Sequence, residues 1–305
     1  MRKGLLVLVS LMMLLGMSHA ATRNRYAQPD MLVETDWLAR HLDNPRIRIV
    51  DTRSVEAYAS GHIPGAVHFD TAKLRTTDSE TEYIPLPEDF VVMMGQLGIS
   101  PKTRVVIYDD RGGVVGVRLW FVLDYYGHRK VSLLNGGWNK WIKEKRPVTT
   151  ETPMVAKTAF TVRPNRQTVC TLEQVKTSLH NPNVMIVDAR SPDEYTGKDK
   201  QRNQRGGHIP GAVNIEWKNN LADDGTFKSA DQLWRLYRQA GLKPDKEIVT
   251  YCQSGGRASH TLFVLRLIGF QRSRAYYGSW QEWGNRDDTL VETATPQPNT
   301  LPERE

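Results

Sequence analysis

The 305-residue sequence lacks the features that mark several large classes of protein. It contains only two cysteines, which excludes a disulfide framework, and it has no paired CxxC or HxxxH motifs that would indicate a fold built around zinc. Gly and Pro are not in excess, so a fibrous or mostly disordered chain is excluded. The net charge of +7 comes from scattered basic residues without flanking aromatic runs, which does not favour nucleic acid as a partner.

Long apolar runs are also missing, apart from one at the amino terminus. Arg2 and Lys3 precede a nearly unbroken apolar run over residues 4–17, and residues 18–21 read SHAA, a small-residue cleavage context. This run is shorter than the roughly 20 residues that a membrane-spanning helix needs. The sequence therefore predicts a cleavable signal peptide over residues 1–20 and an exported, periplasmic protein that has no membrane association once the signal is removed.

The two halves of the chain repeat one another. Four matched pairs of segments occur in the same order in both halves. They are VDTR 50–53 with VDAR 187–190, GHIPGAV 61–67 with 207–213, VVIYD 105–109 with IVTYC 248–252, and WNKW 138–141 with WQEW 280–283. The repeat predicts a first domain over residues 32–147 and a second over 169–290. Residues 148–168 form a linker, and 291–305 form a polar tail.

Each copy alternates strand and helix signals. Short β-branched runs at 47–50 and 184–187 follow amphipathic stretches, and further apolar runs at 105–108 and 248–251 predict buried strands. In the second copy, helically spaced apolar residues then continue to Gly269, a typical helix end. The pattern predicts an α/β fold of two tandem domains, each with a mainly parallel sheet flanked by helices.

The sharpest difference between the copies follows the second buried strand. The first copy reads DDRGGV at 109–114, and the second reads CQSGGR at 252–257, so Cys252 stands where the first copy has Asp109. Backbone N–H groups of such a loop and the following helix end converge on an anion, which favours the thiolate form of Cys252. A buried structural thiol is the alternative. The other cysteine, Cys170, aligns with Val33 and is expected to be structural.

Residues shared by both copies are expected to build the shared fold. His62 and His208 occur in both copies, which favours a role in the common turn over general-base catalysis. The repeated VDTR and VDAR segments predict an Asp–Arg ion pair at the end of a strand in each copy. An insert in the second copy, residues 197–206, carries Lys198, Lys200, Arg202 and Arg205, and it predicts a solvated basic rim.

Together these motifs resemble the tandem-domain rhodanese family of sulfurtransferases, of the exported bacterial type. The resemblance rests on residues 58–66, 207–214, the GSWQEW block at 278–283 and the cysteine loop, and it covers nearly all of the mature chain. Two-domain members of this family carry an inactive N-terminal copy, often with Asp in place of the catalytic Cys. Asp109 fits that pattern.

The resemblance implies that Cys252 takes the outer sulfur of thiosulfate as a persulfide, releases sulfite and passes the sulfur to a thiophilic acceptor such as cyanide or a thiol. It assigns donor binding to six residues: Gln253, Ser254, Gly255, Gly256, Arg257 and Trp217. Turn capping, a solvated charge and core packing are the alternatives for the side chains of Ser254, Arg257 and Trp217. No metal or organic cofactor is required, and the protein is expected to act as a monomer.

Spacing separates this interpretation from its nearest rival. Phosphatases of similar architecture place five residues between Cys and Arg, whereas four residues lie between Cys252 and Arg257. The loop also matches neither the usual thiosulfate type nor the usual 3-mercaptopyruvate type, and Glu194 stands where animal relatives have a substrate-binding Arg. Thiosulfate is favoured because Arg257 offers a charged partner. The alternatives are 3-mercaptopyruvate as the donor, or a persulfide carrier that delivers sulfur to a partner protein.

Overall fold

The computed structural model describes residues 25–77 and 83–293, and strands and helices alternate along both halves. The first half contains five strands: β1 Leu32–Val33, β2 Ile47–Asp51, β3 Val67–His68, β4 Arg104–Tyr108 and β5 Val131–Leu134. Its helices are Thr35–Ala39, Val55–Ser60, Pro87–Gln96, Gly116–Tyr125 and Gly137–Lys143.

The second half repeats this order. Its strands are β6 Val169–Cys170, β7 Val184–Asp188, β8 Val213–Asn214, β9 Glu247–Tyr251 and β10 Ser273–Tyr276. Its helices are Leu172–Ser178, Pro192–Thr196, Ala230–Gln239, Gly256–Leu267 and Ser279–Trp283. Short 3₁₀ helices lie at Pro29–Met31, Thr71–Leu74, Arg166–Thr168 and Trp217–Asn220.

Each half folds into a five-stranded sheet. The strand orders are β1-β5-β4-β2-β3 and β6-β10-β9-β7-β8, and every pair of neighbouring strands is parallel. Helices cover both faces of such a sheet because each parallel connection needs a crossover. The central strands β4 and β9 are therefore buried apart from their first residues. The α/β expectation of two tandem domains with mainly parallel sheets is confirmed.

The topology places the candidate functional residues at one edge of each sheet. In an open parallel sheet, ligands bind at the carboxyl ends of the strands. Asp109 directly follows β4, and Cys252 directly follows β9, so the two residues that differ between the copies occupy equivalent places at this edge.

A buried ion pair closes the end of the neighbouring strand in each copy. Arg190 Nη2 lies 2.6 Å from Asp188 Oδ2, and the hydroxyl of Tyr251 donates to the same oxygen at 2.6 Å. Arg53 and Asp51 make the matching pair at 2.6 Å in the first copy. The strand-end ion pairs that the sequence predicts are confirmed, and they fix the backbone next to each loop.

The two halves pack through the helices that follow the two loops. Almost every residue of Gly256–Leu267 is buried, because this helix lies between its own sheet and helix Gly116–Tyr125 of the first half. Trp120 meets Phe263 edge to face with ring centroids 5.0 Å apart, and Arg266 forms an ion pair with Asp124. One apolar cluster contains residues of both halves, so the copies share a core.

Several expectations concern residues outside this description. The signal peptide at 1–20 lies outside the described residues, as does most of the tail, 294–305. Over residues 25–77 and 83–293, no helix has the length and apolar character to cross a membrane. The same residues contain no group of three or more His, Cys, Asp or Glu placed to hold a metal ion.

Candidate active site

The candidate site is the tight loop between β9 and helix Gly256–Leu267. Cys252 follows the strand and is 1% exposed. The chain then turns sharply at Gly255, whose φ of +87° belongs to the left-handed region that glycine favours. The helix begins at the next residue, so its free N–H groups lie close behind the cysteine.

The repeated tryptophan segment holds this loop in place. The Cys252 N–H donates to Ser279 Oγ at 3.2 Å, and the Trp280 N–H donates to the Cys252 carbonyl at 2.9 Å. One residue further on, the Gln281 N–H donates to the carbonyl of Gln253 at 2.9 Å. The segment is therefore a support for the loop, which accounts for its presence in both copies.

Both glycines of the loop lie against side chains that a Cβ would meet. A Cβ on Gly255 would sit 2.5 Å from the ring of Tyr277, and a Cβ on Gly256 would sit 2.8 Å from Arg118 Nε. Real side chains do not approach this closely. The loop thus packs against a buried tyrosine of its own domain and an arginine of the first domain.

The corresponding loop of the first copy already holds an anion, which is its own carboxylate. Asp109 is 1% exposed and accepts four backbone hydrogen bonds of 2.8–2.9 Å. Oδ1 accepts from the N–H groups of Arg111 and Gly113, and Oδ2 accepts from those of Val115 and Gly116. This loop type therefore presents converging N–H donors to a buried negative charge.

The two loops differ in length by one residue, which a letter-by-letter alignment of DDRGGV with CQSGGR misses. Gly112 and Gly113 are both left-handed, with φ of +69° and +89°, so the φ angle alone does not identify the partner of Gly255. The hydrogen bonds do, because the carbonyls of Gly113 and Gly255 each accept from the N–H four residues later, at Val117 and Ser259 respectively. Gly113 therefore corresponds to Gly255, and the first loop contains one residue more between Asp109 and this glycine than the second contains after Cys252.

Arg257 does not point a free charge into the loop. Its guanidinium makes two bonds to Glu194, Nη1 to Oε2 at 2.5 Å and Nη2 to Oε1 at 2.8 Å. The Glu194 side chain is 4% exposed and also completes a capping box with Ser191. Burial alone would raise the pKa of Glu194, but hydrogen bonds and charge from Arg257 hold it below its usual value. The carboxylate therefore neutralises much of the charge expected to attract a donor.

The insert in the second copy contacts the loop through an amide. Asn203 is 5% exposed and exchanges two hydrogen bonds with Gln253, of 3.0 and 3.1 Å. Arg205 is not part of a solvated rim, contrary to the sequence expectation. Its guanidinium donates to the carbonyl of Trp283, the last residue of its helix, whose C=O has no partner within the helix, and to the carbonyl of Thr289. The other three basic residues of the insert are exposed.

Trp217 lies where the sequence places it, beside the cysteine. A small apolar cluster joins Cys252, Ala189 and Ala258, and Trp217 packs against it. His260 meets Trp217 edge to face with centroids 5.1 Å apart. Trp217 is partly exposed, so it lies at the edge of this cluster.

The two shared histidines belong to the common turn, as the sequence predicts. His62 Nδ1 lies 2.9 Å from the carbonyl of Tyr58, and His208 Nδ1 lies 2.8 Å from that of Tyr195. Each imidazole stacks on the same tyrosine. Neither histidine is in contact with the cysteine loop.

Comparison with known proteins identifies the architecture. A model of the rhodanese-like domain matches this chain twice, over residues 34–144 and 171–286. The chain belongs to the rhodanese family. The two matches coincide with the two sheets, so this rhodanese is a tandem repeat of one domain.

Named relatives cover most of this rhodanese. Sulfur carrier protein TtuD of Thermus thermophilus is 38% identical over 276 residues, which are 85% of this chain and 95% of that protein. Thiosulfate sulfurtransferase of Corynebacterium glutamicum is 35% identical over 288 residues, covering 90% of this chain and 95% of that protein.

Solved structures share the arrangement of the two domains. The anaerobic ergothioneine biosynthesis enzyme from Chlorobium limicola, in complex with trimethyl histidine, superposes with a TM-score of 0.80 at 27% identity. The match covers 88% of this chain and 72% of that chain. A related EanB structure that carries a cysteine persulfide in a tetrahedral intermediate state with ergothioneine gives a TM-score of 0.81 at 27% identity, covering 89% and 72%.

Arg118 is the residue of this site that sequence reasoning missed. It lies on helix Gly116–Tyr125 of the first domain, and its Nη2 donates to the Ser254 carbonyl at 3.2 Å and to Ser254 Oγ at 3.4 Å. No local pattern distinguishes it from a charge on a helix surface. The sequence offers no signal for it, because the contact joins two domains and depends on how their helices pack.

Proposed function

We propose that this rhodanese moves the sulfane sulfur of thiosulfate to a thiophilic acceptor through a persulfide on Cys252. In the first step the Cys252 thiolate attacks the outer sulfur of thiosulfate. The new S–S bond forms as the old one breaks, and sulfite leaves with the electron pair. In the second step an acceptor such as cyanide attacks the outer sulfur of the persulfide, giving thiocyanate and the original thiolate.

The observation that carries this proposal is the anion-binding loop of the first domain. Its N–H groups, from Arg111, Gly113, Val115 and Gly116, are called the cradle below. Four N–H groups there stabilise the buried carboxylate of Asp109 at 2.8–2.9 Å. The second loop has an equivalent left-handed glycine, whose carbonyl likewise accepts from the N–H four residues later, but it has a thiol in place of the carboxylate. A thiolate or persulfide at Cys252 would take the place of that carboxylate charge and would be stabilised in the same manner.

Donor binding is proposed for the remaining loop residues in distinct ways. The backbone of Ser254, Gly255 and Gly256 supplies the turn and its N–H groups, since the glycine positions admit no side chain. Gln253 is held by Asn203, so its side chain shapes the rim of the loop. The guanidinium of Arg257 contributes less charge than a free arginine would, because Glu194 binds it.

Trp217 is proposed to limit the size of the donor. Cys252 is 1% exposed and Trp217 packs against its cluster, so we expect the sulfur to admit only small reagents. Thiosulfate is a compact dianion that fits this restriction. A persulfide extends the sulfur outward by an S–S bond of about 2.05 Å, which brings the transferable atom closer to an acceptor.

Steady-state turnover with thiosulfate and cyanide tests the proposal. Wild type should form thiocyanate, and Cys252→Ser should form none above the uncatalysed rate. Cys170→Val is the matched control because the equivalent position of the first domain is Val33, and it should retain wild-type turnover. Equal turnover by Cys252→Ser and wild type would refute the proposal.

A persulfide carrier is the second candidate, and the 38% identity to a sulfur carrier protein favours it. A carrier would load sulfur onto Cys252 from a small donor but turn over slowly with cyanide or small thiols. Comparing the loading rate with the rate of cyanide turnover separates the two roles. Fast loading with turnover slower by about a hundredfold or more would favour a carrier.

A further inference from the structure

The two domains present equivalent side chains to each other's loop. His260 lies five residues after Gly255, and its Nε2 donates to the carbonyl of Gly112 in the first domain at 3.0 Å. Arg118 lies five residues after Gly113, and its Nη2 donates to the carbonyl of Ser254 in the second domain at 3.2 Å. Gly112 directly precedes Gly113, and Ser254 directly precedes the corresponding Gly255. The contacts are therefore reciprocal.

The first domain shows what such a contact does. A trans peptide is planar, so its C=O and N–H point in opposite directions. Because His260 holds the Gly112 carbonyl from outside the loop, the N–H of Gly113 is directed into the loop. That N–H donates to Asp109 Oδ1 at 2.8 Å. A residue of one domain thus sets the direction of an anion-binding donor in the other.

We propose that Arg118 is a positioning residue for sulfur transfer, which directs the Gly255 N–H toward the sulfur of Cys252 and adds a fixed positive charge behind the loop. This inference rests on the proposed function of Cys252. It assigns a role to the first domain, which has no cysteine in its own loop but completes the loop of the second.

The two reciprocal side chains differ in charge. His260 is fully buried, and burial lowers its pKa to about 4. Asn220 Nδ2 lies 3.4 Å from its Nδ1, so Nδ1 accepts and the neutral ring carries its proton on Nε2. The neutral donor faces the loop that contains the Asp109 carboxyl group, whereas the charged Arg118 faces the loop whose sulfur becomes negative during the proposed reaction.

Gly256 allows Arg118 to approach. A Cβ at this position would lie 2.8–3.2 Å from Nε, Nη2 and Cζ of the guanidinium, so a larger residue would displace the end of the Arg118 side chain. The equivalent position of the first domain, next after Gly113, is Val114.

Other charged and titratable side chains surround the loop, and they must be left unchanged in the variants that test Arg118. Arg257 is paired with Glu194, and Arg75 lines the small cavity that Arg118, Ser254 and Tyr277 share. The Tyr277 phenol is buried, and burial raises its pKa although the charge of Arg118 opposes the shift. The phenol therefore stays protonated over the range in which a cysteine titrates.

The test compares Arg118→Met, Arg118→Lys and the control Arg266→Gln in the full-length mature protein. Arg266 joins the same two helices through its ion pair with Asp124, but at the end away from the loop, so the control reports loosening of the interface alone. The rate of alkylation of Cys252 by iodoacetamide is measured against pH by peptide mass, together with the rate of sulfur gain from thiosulfate. The alkylation profile reports the thiolate whether or not sulfur is transferred.

In Arg118→Met the pH at which alkylation reaches half its maximal rate should rise. The rates of alkylation and of sulfur gain at neutral pH should both fall about tenfold, which is the effect of one misdirected charge-assisted hydrogen bond. Arg118→Lys should lie between Arg118→Met and wild type, and Arg266→Gln should match wild type. If Arg118→Met does not fold, Gly256→Ala displaces the guanidinium and should shift the profile in the same direction.

Two results would overturn the inference. One is an unchanged alkylation profile and sulfur-gain rate in folded Arg118→Met, and the other is an equal change in Arg266→Gln. A different result separates the two proposals. If Arg118→Met shows the alkylation shift but wild type gains no sulfur from thiosulfate, the proposed donor is contradicted and the positioning role of Arg118 is supported.

Discussion

Replacement of Asp109 by Asn removes one negative oxygen from the cradle of the first domain while preserving the size of the side chain. The carboxylate accepts two N–H bonds on each oxygen, and none of these donors has room to turn away because they belong to the loop and the helix start. An asparagine keeps one acceptor oxygen. Its NH₂ group must face the two remaining N–H donors.

The magnitude follows from the bonds that are lost. Hydrogen bonds to a charged group contribute about 1.5–3 kcal/mol each, and a buried donor left without a partner costs about 1–3 kcal/mol. Asp109 is 1% exposed, so water does not replace the lost acceptor. With partial relaxation of the loop, Asp109→Asn should reduce the free energy of unfolding by about 3–5 kcal/mol.

Urea unfolding followed by tryptophan fluorescence measures the change. Asp110→Asn is the matched control, since it removes a carboxylate one residue away that is not held by the loop N–H groups, and it should change the free energy of unfolding by less than about 0.5 kcal/mol. If Asp109→Asn and Asp110→Asn have the same small effect, the first loop is not an anion cradle. The comparison of the two loops would then lose its basis.

Three further predictions follow from the site and the amino terminus. Glu194→Gln should lower the free energy of unfolding by about 1–3 kcal/mol at pH 7. Because the ion pair with Arg257 lowers the pKa of Glu194 from 4.5, this difference from wild type should be fully present above about pH 4.5 and should vanish as the pH falls through the lower pKa of the folded state. Thermal melts of both proteins across this pH range measure the difference. Gly255→Ala should abolish sulfur gain from thiosulfate, because the new Cβ meets the Tyr277 ring; the control Gly241→Ala has a similar φ of +85° but open space and should gain sulfur normally. We also propose export with removal of residues 1–20, so amino-terminal sequencing of the protein from the periplasmic fraction should begin at Ala21, and retention of Met1 would contradict this.

Much of the architecture could be predicted from the sequence because the chain is duplicated. A segment that recurs in both halves serves a structural need that both domains share, as the Asp188–Arg190 pair and its counterpart show. A segment that differs between the halves marks a place where the two domains have different functions. That comparison points directly to Cys252 and Asp109.

Contacts between distant parts of the chain could not be predicted in this way. Glu194 and Arg257 are 63 residues apart, and Arg118 and Ser254 are 136 apart, so their pairing depends on how helices pack after folding. The one-residue difference in loop length is also hidden from the sequence, because a Gly-Gly pair can be matched in more than one register by letters alone. Only the hydrogen bonds that the carbonyls of Gly113 and Gly255 accept show which glycines correspond.

The formation of a persulfide on Cys252 is the central claim, and the intact mass of the mature protein tests it most directly. Wild type exposed to thiosulfate should gain the mass of one sulfur atom, about 32 Da, and lose it on addition of cyanide, whereas Cys252→Ser should show no gain under the same conditions. A wild-type protein that gains no sulfur, or a Cys252→Ser variant that gains as much as wild type, would contradict the account.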